Sequence, residues 1–338
     1  SRLNFAENLL ADRHVAERRP QAIVAWNEDG PTTSVTWADL RVQVAHFAAG
    51  LQRAGVAPGD RVAGFLPNTP EAVIAMLATS SLGAMWSSSS PDFGVDGVLD
   101  RFSQIEPKVL VCARGAMWNG SWMGSLERVR AISERLPSLG AVVVADYGGK
   151  AGSGDLVGIP HAIPWNEFAS PSDQPTPDFA QLPFDHPLYV LYSSGTTGIP
   201  KCIVHGQGGT LIQHLKEHVL HCDLRPGDTL FYYTTCGWMM WNWMVSALAS
   251  GVSIVLYDGS PFQATPTRMW DVADAEHVHV FGTSAKYLAL AEKEGLCPRE
   301  THDLSSLRTI LSTGSPLLPQ SFDWVYGRVK ADVHLASI

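Results

Sequence analysis

The stretch Leu188-Tyr189-Val190-Leu191-Tyr192-Ser193-Ser194-Gly195-Thr196-Thr197-Gly198-Ile199-Pro200-Lys201 decides how this chain is read. The apolar run Leu188–Tyr192 reads as a buried strand. Four hydroxyl side chains, two glycines and a closing lysine follow it. Hydroxyls and glycine amides can surround a polyphosphate from several sides, and glycine has no Cβ to keep the backbone away. Lys201 adds a full positive charge, and Pro200 restricts the backbone just before it. The Walker loop is excluded, because it needs four residues between its glycines and then Gly-Lys-Ser/Thr entering a helix. Here only Thr196 and Thr197 separate Gly195 from Gly198, and Lys201 leads into Cys202-Ile203-Val204, a second strand. A Ser/Thr/Gly surface turn matches the composition but not the Pro-Lys closure between two apolar strands.

Outward from the loop, helix and strand alternate. Thr36 caps a helix reaching about Ala54, with Asp39 three residues later, and Pro70 opens another that runs to about Leu82. Arg61–Leu66, Val109–Cys112 and Ala141–Val144 read as strands, the last two buried on both faces. Gly148–Gly154 and Ser170–Pro175 read as loops. A helix covers Gly209–Leu220 and a strand Thr229–Tyr233; further strands fall at Val278–Phe281, Leu307–Ser312 and Val333–Leu335. Helices are expected at Ser284–Glu294 and Pro319–Tyr326. This is an α/β chain with mostly parallel sheets, in which ligands bind beyond the carboxyl ends of the strands. The glycine loop, Gly237–Trp243 and Ser312-Thr313-Gly314-Ser315-Pro316 all follow strands and can share one cleft.

Composition narrows the partners. At 338 residues, 45% hydrophobic and 17% charged, the chain can hold two α/β lobes with sizeable cores. Its net charge, 24 − 33 = −9, argues against a nucleic-acid surface. The five cysteines are dispersed without a Cys-x-x-Cys pair, which fits a reducing cytoplasm and neither a disulfide framework nor a zinc site. Cys236 reads as a small buried hydrophobe. Gly237–Tyr257 is free of charge and long enough to cross a bilayer, but its Asn, Ser and Gly content favours a helix stopped at Gly251 followed by a buried strand. No membrane partner is expected. His277 and His279 alternate along the strand expected there, with no third ligand in view, so no metal site is assigned.

Ser-Ser-Gly-Thr-Thr-Gly-x-Pro-Lys resembles the signature of the adenylate-forming superfamily of acyl-CoA synthetases, luciferases and peptide-synthetase adenylation domains. Three further stretches, Leu3–Leu10, His214–His218 and Thr234–Trp243, resemble the acyl-CoA synthetases for short keto acids. The resemblance implies ATP-dependent activation of acetoacetate to acetoacetyl-AMP and transfer of the acyl group to CoA, with ATP, Mg2+ and CoA as small-molecule partners. Activation of acetate, propionate or 3-hydroxybutyrate and a non-catalytic nucleotide- or acyl-binding role are the alternatives.

The same resemblance assigns residues. Ser193, Ser194, Gly195, Thr196, Thr197, Gly198 and Lys201 hold the ATP phosphates, with Lys201, Thr196 and Thr197 stabilising the charge that develops on the β- and γ-phosphates. Gly314, Ser315 and Pro316 frame the adenine, serine standing where acetyl-CoA synthetases carry glutamate. Trp238, Met239, Met240 and Thr313 line the acid pocket. Arg114 is a weaker assignment, to the CoA 3′-phosphate. The implied fold is the large N-terminal domain, two similar αβαβα lobes: about 61–222, and 1–60 with 223–338. It stops before the β-barrel and the C-terminal domain that carry the rest of the machinery, so the chain is expected to be an incomplete adenylation domain.

Overall fold

Val109–Ala113 and Ala141–Ala145 are buried at every residue, as continuous apolar runs require of strands covered on both faces. They belong to the first of two seven-stranded sheets in the computed structural model, which describes residues 1–12, 19–147, 156–171, 177–193 and 198–337. The chain opens with β1 (Arg2–Leu3), and β2 (Gln21–Asn27) and β3 (Gly30–Thr36) form an antiparallel hairpin. The first sheet then takes β4 (Arg61–Phe65), β5 (Met85–Ser89) and β6 (Val109–Ala113). A small hairpin, β7 (Gly115–Trp118) and β8 (Ser121–Gly124), follows. β9 (Ala141–Ala145) and β10 (Ala162–Pro164) return to that sheet, β11 (Leu182–Pro183) pairs with β1, and β12 (Pro187–Ser193) and β13 (Lys201–Gly206) finish it. Its order is β10-β9-β6-β4-β5-β12-β13, parallel except at β12–β13.

The second sheet joins the first hairpin to β14 (Thr229–Tyr232), β15 (Ser253–Asp258), β16 (Val280–Ser284), β17 (Thr309–Thr313) and β18 (His334–Ser337). Its order is β18-β17-β16-β14-β15-β2-β3, with only β2–β3 antiparallel. One hydrophobic cluster contains Val62, Trp86 and Val109 of the first sheet together with Ile23, Leu230 and Ile254 of the second. The two sheets therefore share a core.

Local signals set the helices. Thr36 accepts the Asp39 N–H at 3.1 Å and donates its hydroxyl to the Asp39 carboxylate at 2.7 Å, fixing the start of helix Trp37–Arg53. Pro70 occupies the first turn of helix Pro70–Ser81. The uncharged stretch Gly237–Tyr257 divides into helix Met239–Ser246, a 3-10 turn Ala247–Ser250 and β15. Gly251 ends the helical part at φ 71°, a left-handed conformation glycine adopts without strain. Among the described residues no helix is long and apolar enough to cross a membrane.

Two strands start two residues later than expected. The one read at Val278–Phe281 is Val280–Ser284, and the one read at Leu307–Ser312 is Thr309–Thr313. The ladders begin at Leu230↔Val280 and Val280↔Thr309, and His277 still belongs to the preceding turn at φ 48°. His277 and His279 therefore do not share a strand face. Instead His279 Nδ1 accepts the Thr229 N–H at 3.0 Å, and its Nε2 lies 3.3 Å from Asp228. Gly148–Gly154 and residues 172–175 of the two expected loops lie outside the described residues.

Candidate active site

The carboxyl ends of seven strands, three from the first sheet and four from the second, surround one cavity of about 780 Å3. Pro67 and Asn68 follow β4, Ser90 and Asp92 follow β5, and the β7–β8 hairpin follows β6. From the other side come the Thr234–Thr235 segment after β14, Asp258–Gly259 after β15, Ser284 ending β16, and Thr313–Gly314 ending β17. Parallel strands direct their carboxyl ends to one edge, so two such sheets edge to edge make a cleft there.

Trp238, Met239 and Met240 line this cavity, as do Thr313 and Gly314. Trp238 precedes helix Met239–Ser246 as its N-cap and is 62% exposed, whereas Met240 is buried. Ser315 and Pro316 are exposed just beyond Gly314, which adopts φ 91°, and neither lines the cavity. Ser193 and Lys201 face one another across the β12–β13 ladder, at the two ends of the glycine-loop sequence. Gly198 has φ 128°, a conformation that favours glycine. Ser194, Gly195, Thr196 and Thr197 lie outside the described residues. The base of that loop is anchored: Gln104 donates its amide to the Pro200 carbonyl at 2.8 Å, and Tyr192 and Ser87 hydroxyls meet at 3.1 Å.

Hydrogen bonds between the two halves set the cavity floor. Asn68 accepts the Trp241 indole N–H at 2.8 Å and donates to the Thr234 carbonyl at 3.3 Å. Ser88 donates to the Cys236 carbonyl at 2.7 Å, and Thr235 donates to the Ser90 hydroxyl at 3.2 Å. Cys236 is fully buried, and burial pushes its thiol well above the ordinary range, so it is no nucleophile. Arg114 is buried and pairs with Asp146 at 2.8 Å. Asp258 accepts the Met117 N–H at 2.9 Å, and burial raises its carboxyl to about 6.

A second cavity, about 660 Å3, has His205, Gln213, His214 and Glu217 in its wall and shares Met239 with the first. Behind it His214 Nδ1 lies 2.9 Å from the Ser246 hydroxyl, and His218 Nε2 lies 3.1 Å from the Trp243 carbonyl. Burial holds both imidazoles far below the usual histidine range, to about 4 for His214 and about 3 for His218.

The β7–β8 hairpin, Asn68 and Asp258 are among the cavity residues that sequence reasoning missed. Asn119-Gly120 is a recognised two-residue hairpin signal, and it was available between Trp118 and Ser121. Asp258 directly follows the uncharged stretch Gly237–Tyr257, whose end was expected to be a buried strand.

The sequence pattern of the AMP-binding enzyme family matches residues 12–336. The chain is 51% identical over 341 aligned residues to acetoacetyl-CoA synthetase of Mus musculus and 49% identical over 339 to acetoacetyl-coenzyme A synthetase of Rhizobium meliloti. Each alignment takes in all of this chain and 50% or 51% of the relative. The solved structure of acetoacetyl-CoA synthetase from Streptomyces lividans superposes with a TM-score of 0.92 at 43% identity, covering 100% of this chain and 51% of that one. The chain thus spans about half the length of the relatives it matches.

Proposed function

Because the chain belongs to the AMP-binding enzyme family, we propose that it forms the adenylating part of an acid–thiol ligase acting on acetoacetate. The convergence of seven strand ends on one cavity walled by Trp238, Met239, Met240 and Thr313 carries this reading. Identity with acetoacetyl-CoA synthetases over the whole chain supports the choice of acid. In the first step a carboxylate oxygen of the acid attacks the α-phosphorus of ATP. The bond to the bridging oxygen breaks, and pyrophosphate leaves with its electron pair. In the second, the CoA sulfur attacks the acyl carbon, loses its proton, and expels AMP.

Each residue has a part in this reading. Ser193, Ser194, Gly195, Thr196, Thr197, Gly198 and Lys201 hold the β- and γ-phosphates, and their donors stabilise charge that grows as pyrophosphate departs. Gly314, Ser315 and Pro316 frame the adenine through their backbone. Trp238, Met239 and Met240 give the acid an adaptable apolar wall with Thr313 opposite. Among the described residues no three His, Cys, Asp or Glu side chains form a metal cluster. Magnesium would be held chiefly by the substrate phosphates, with the Thr197 hydroxyl as the oxygen this chain would add. When bound, the ion neutralises phosphate charge. Residues 61–222 form one lobe of the adenylation domain and 1–60 with 223–338 the other, in a cytoplasmic protein.

Acid-dependent ATP–pyrophosphate exchange tests the proposal. It is run with acetoacetate, acetate, propionate and 3-hydroxybutyrate, on this chain and on the chain joined to the remaining half that its relatives carry. The joined protein is expected to exchange best with acetoacetate, and the chain alone to make almost no thioester. Exchange with acetate but not acetoacetate overturns the choice of acid. Exchange with none of the four favours a non-catalytic binding role.

A further inference from the structure

Glu28, in the turn between β2 and β3, is fully buried. Its carboxylate accepts three backbone N–H groups: Asn119 at 2.8 Å, Gly120 at 2.5 Å and Ser260 at 2.6 Å. Asn119 and Gly120 are the two turn residues of the β7–β8 hairpin, at φ 50° and 73°, the left-handed pair of a type I′ turn. Asp258 takes a third hairpin amide, that of Met117. Gly259 has φ 131°, and a Cβ there would come within 2.3 Å of Glu28 Cγ, so the turn that follows β15 closes directly on this carboxylate. Two acids of the second sheet thus grip a hairpin that leaves the first.

The hairpin presents Met117, Trp118 and Met123 to the 780 Å3 cavity. Trp118 and Met123 are each 49% exposed, so packing alone does not locate them. The backbone bonds to the two carboxylates do.

We propose that Glu28 is a positioning residue that holds the Gly115–Gly124 hairpin as a wall of the acid-binding cavity; the acid's place there rests on the function proposed above. The site suits a carboxylate because both of its oxygens accept, and three backbone donors converge on them. A glutamine would turn its NH2 toward one of those donors and leave a buried N–H unpaired.

The test uses Glu28→Gln in the full-length protein, this chain with the remaining half. Hydrogen exchange at the Asn119 and Gly120 amides should accelerate at least about tenfold while β6 and β9 keep their protection. The KM for the acid should rise about tenfold, with kcat within about threefold of the unaltered enzyme. Combined with Trp118→Ala, the KM effect should be less than the product of the two separate effects, because both act through one hairpin. Glu28→Asp keeps two accepting oxygens with a shorter reach and should fall between; it carries the same measurements if Glu28→Gln does not fold. Unchanged amide protection overturns the grip on the hairpin. Faster exchange with an unchanged KM overturns the positioning role. If the unaltered protein exchanges with no acid, the functional reading fails, and amide protection alone then decides whether Glu28 holds the hairpin.

Discussion

Lys201 is exposed at the start of β13, opposite Ser193, and in the proposed function it meets the charge of the departing pyrophosphate. A group placed to meet departing charge matters more in the transition state than in the ground state. Lys201→Ala in the full-length protein should therefore lower kcat for ATP–pyrophosphate exchange by about a hundredfold while the KM for the acid moves less than about threefold. A rise in KM at constant kcat would reduce Lys201 to a binding contact. Trp238, Met239 and Met240 were assigned through the family resemblance of Thr234–Trp243, and they line the cavity. Glu28 was not legible: Asn27-Glu28-Asp29-Gly30 reads as a solvated polar turn, and nothing local shows a carboxylate turned inward to amides 91 and 92 positions away.

Elements show a similar division. Helices Trp37–Arg53 and Pro70–Ser81 were readable from Thr36, Asp39 and Pro70, because caps act within a few residues. The β7–β8 hairpin was overlooked because its exposed Trp and Met side chains give no alternation of buried and solvated positions, and its place depends on the other sheet. β14 and β16 pack more closely than their side-chain patterns suggest. At Gly282 a Cβ would come within 2.0 Å of the Tyr232 ring, which is buried and meets Trp243 edge to face. Gly282→Ala should cost about 2–3 kcal/mol in urea denaturation, as expected for overpacking a tight core. Since Tyr232 and Thr283 both line the cavity, it should also weaken acid binding. An unchanged midpoint would mean that the ring can move aside freely.

For the whole molecule, pH brings opposing groups into competition. His214 and His218 have folded pKa values lowered by burial to about 4 and about 3, so their contribution is complete above the ordinary histidine pKa and is lost as pH falls. Between pH 6.5 and 5 each costs about 2 kcal/mol. Asp258 has the opposite sign. Burial raises it to about 6, so the folded state keeps a proton that the unfolded chain has released, and acidification over the same interval returns about 1 kcal/mol. The two histidines win, and stability measured by urea denaturation should be lower at pH 5 than at pH 7. Asp258→Asn should steepen the loss; a flat profile would show that the imidazoles are reached by water. All of helix Pro70–Ser81 except Glu71 is buried. It packs against β4 and β5 on one side and against helices Phe5–Leu10 and Trp37–Arg53 on the other. Mechanically it is a keystone between the first sheet and those two helices, and pulling it away would re-expose Ile74, Met76 and Leu77 at about 1.5–3 kcal/mol apiece. The β4 and β5 loops that edge the cleft therefore start from strands backed by one buried helix.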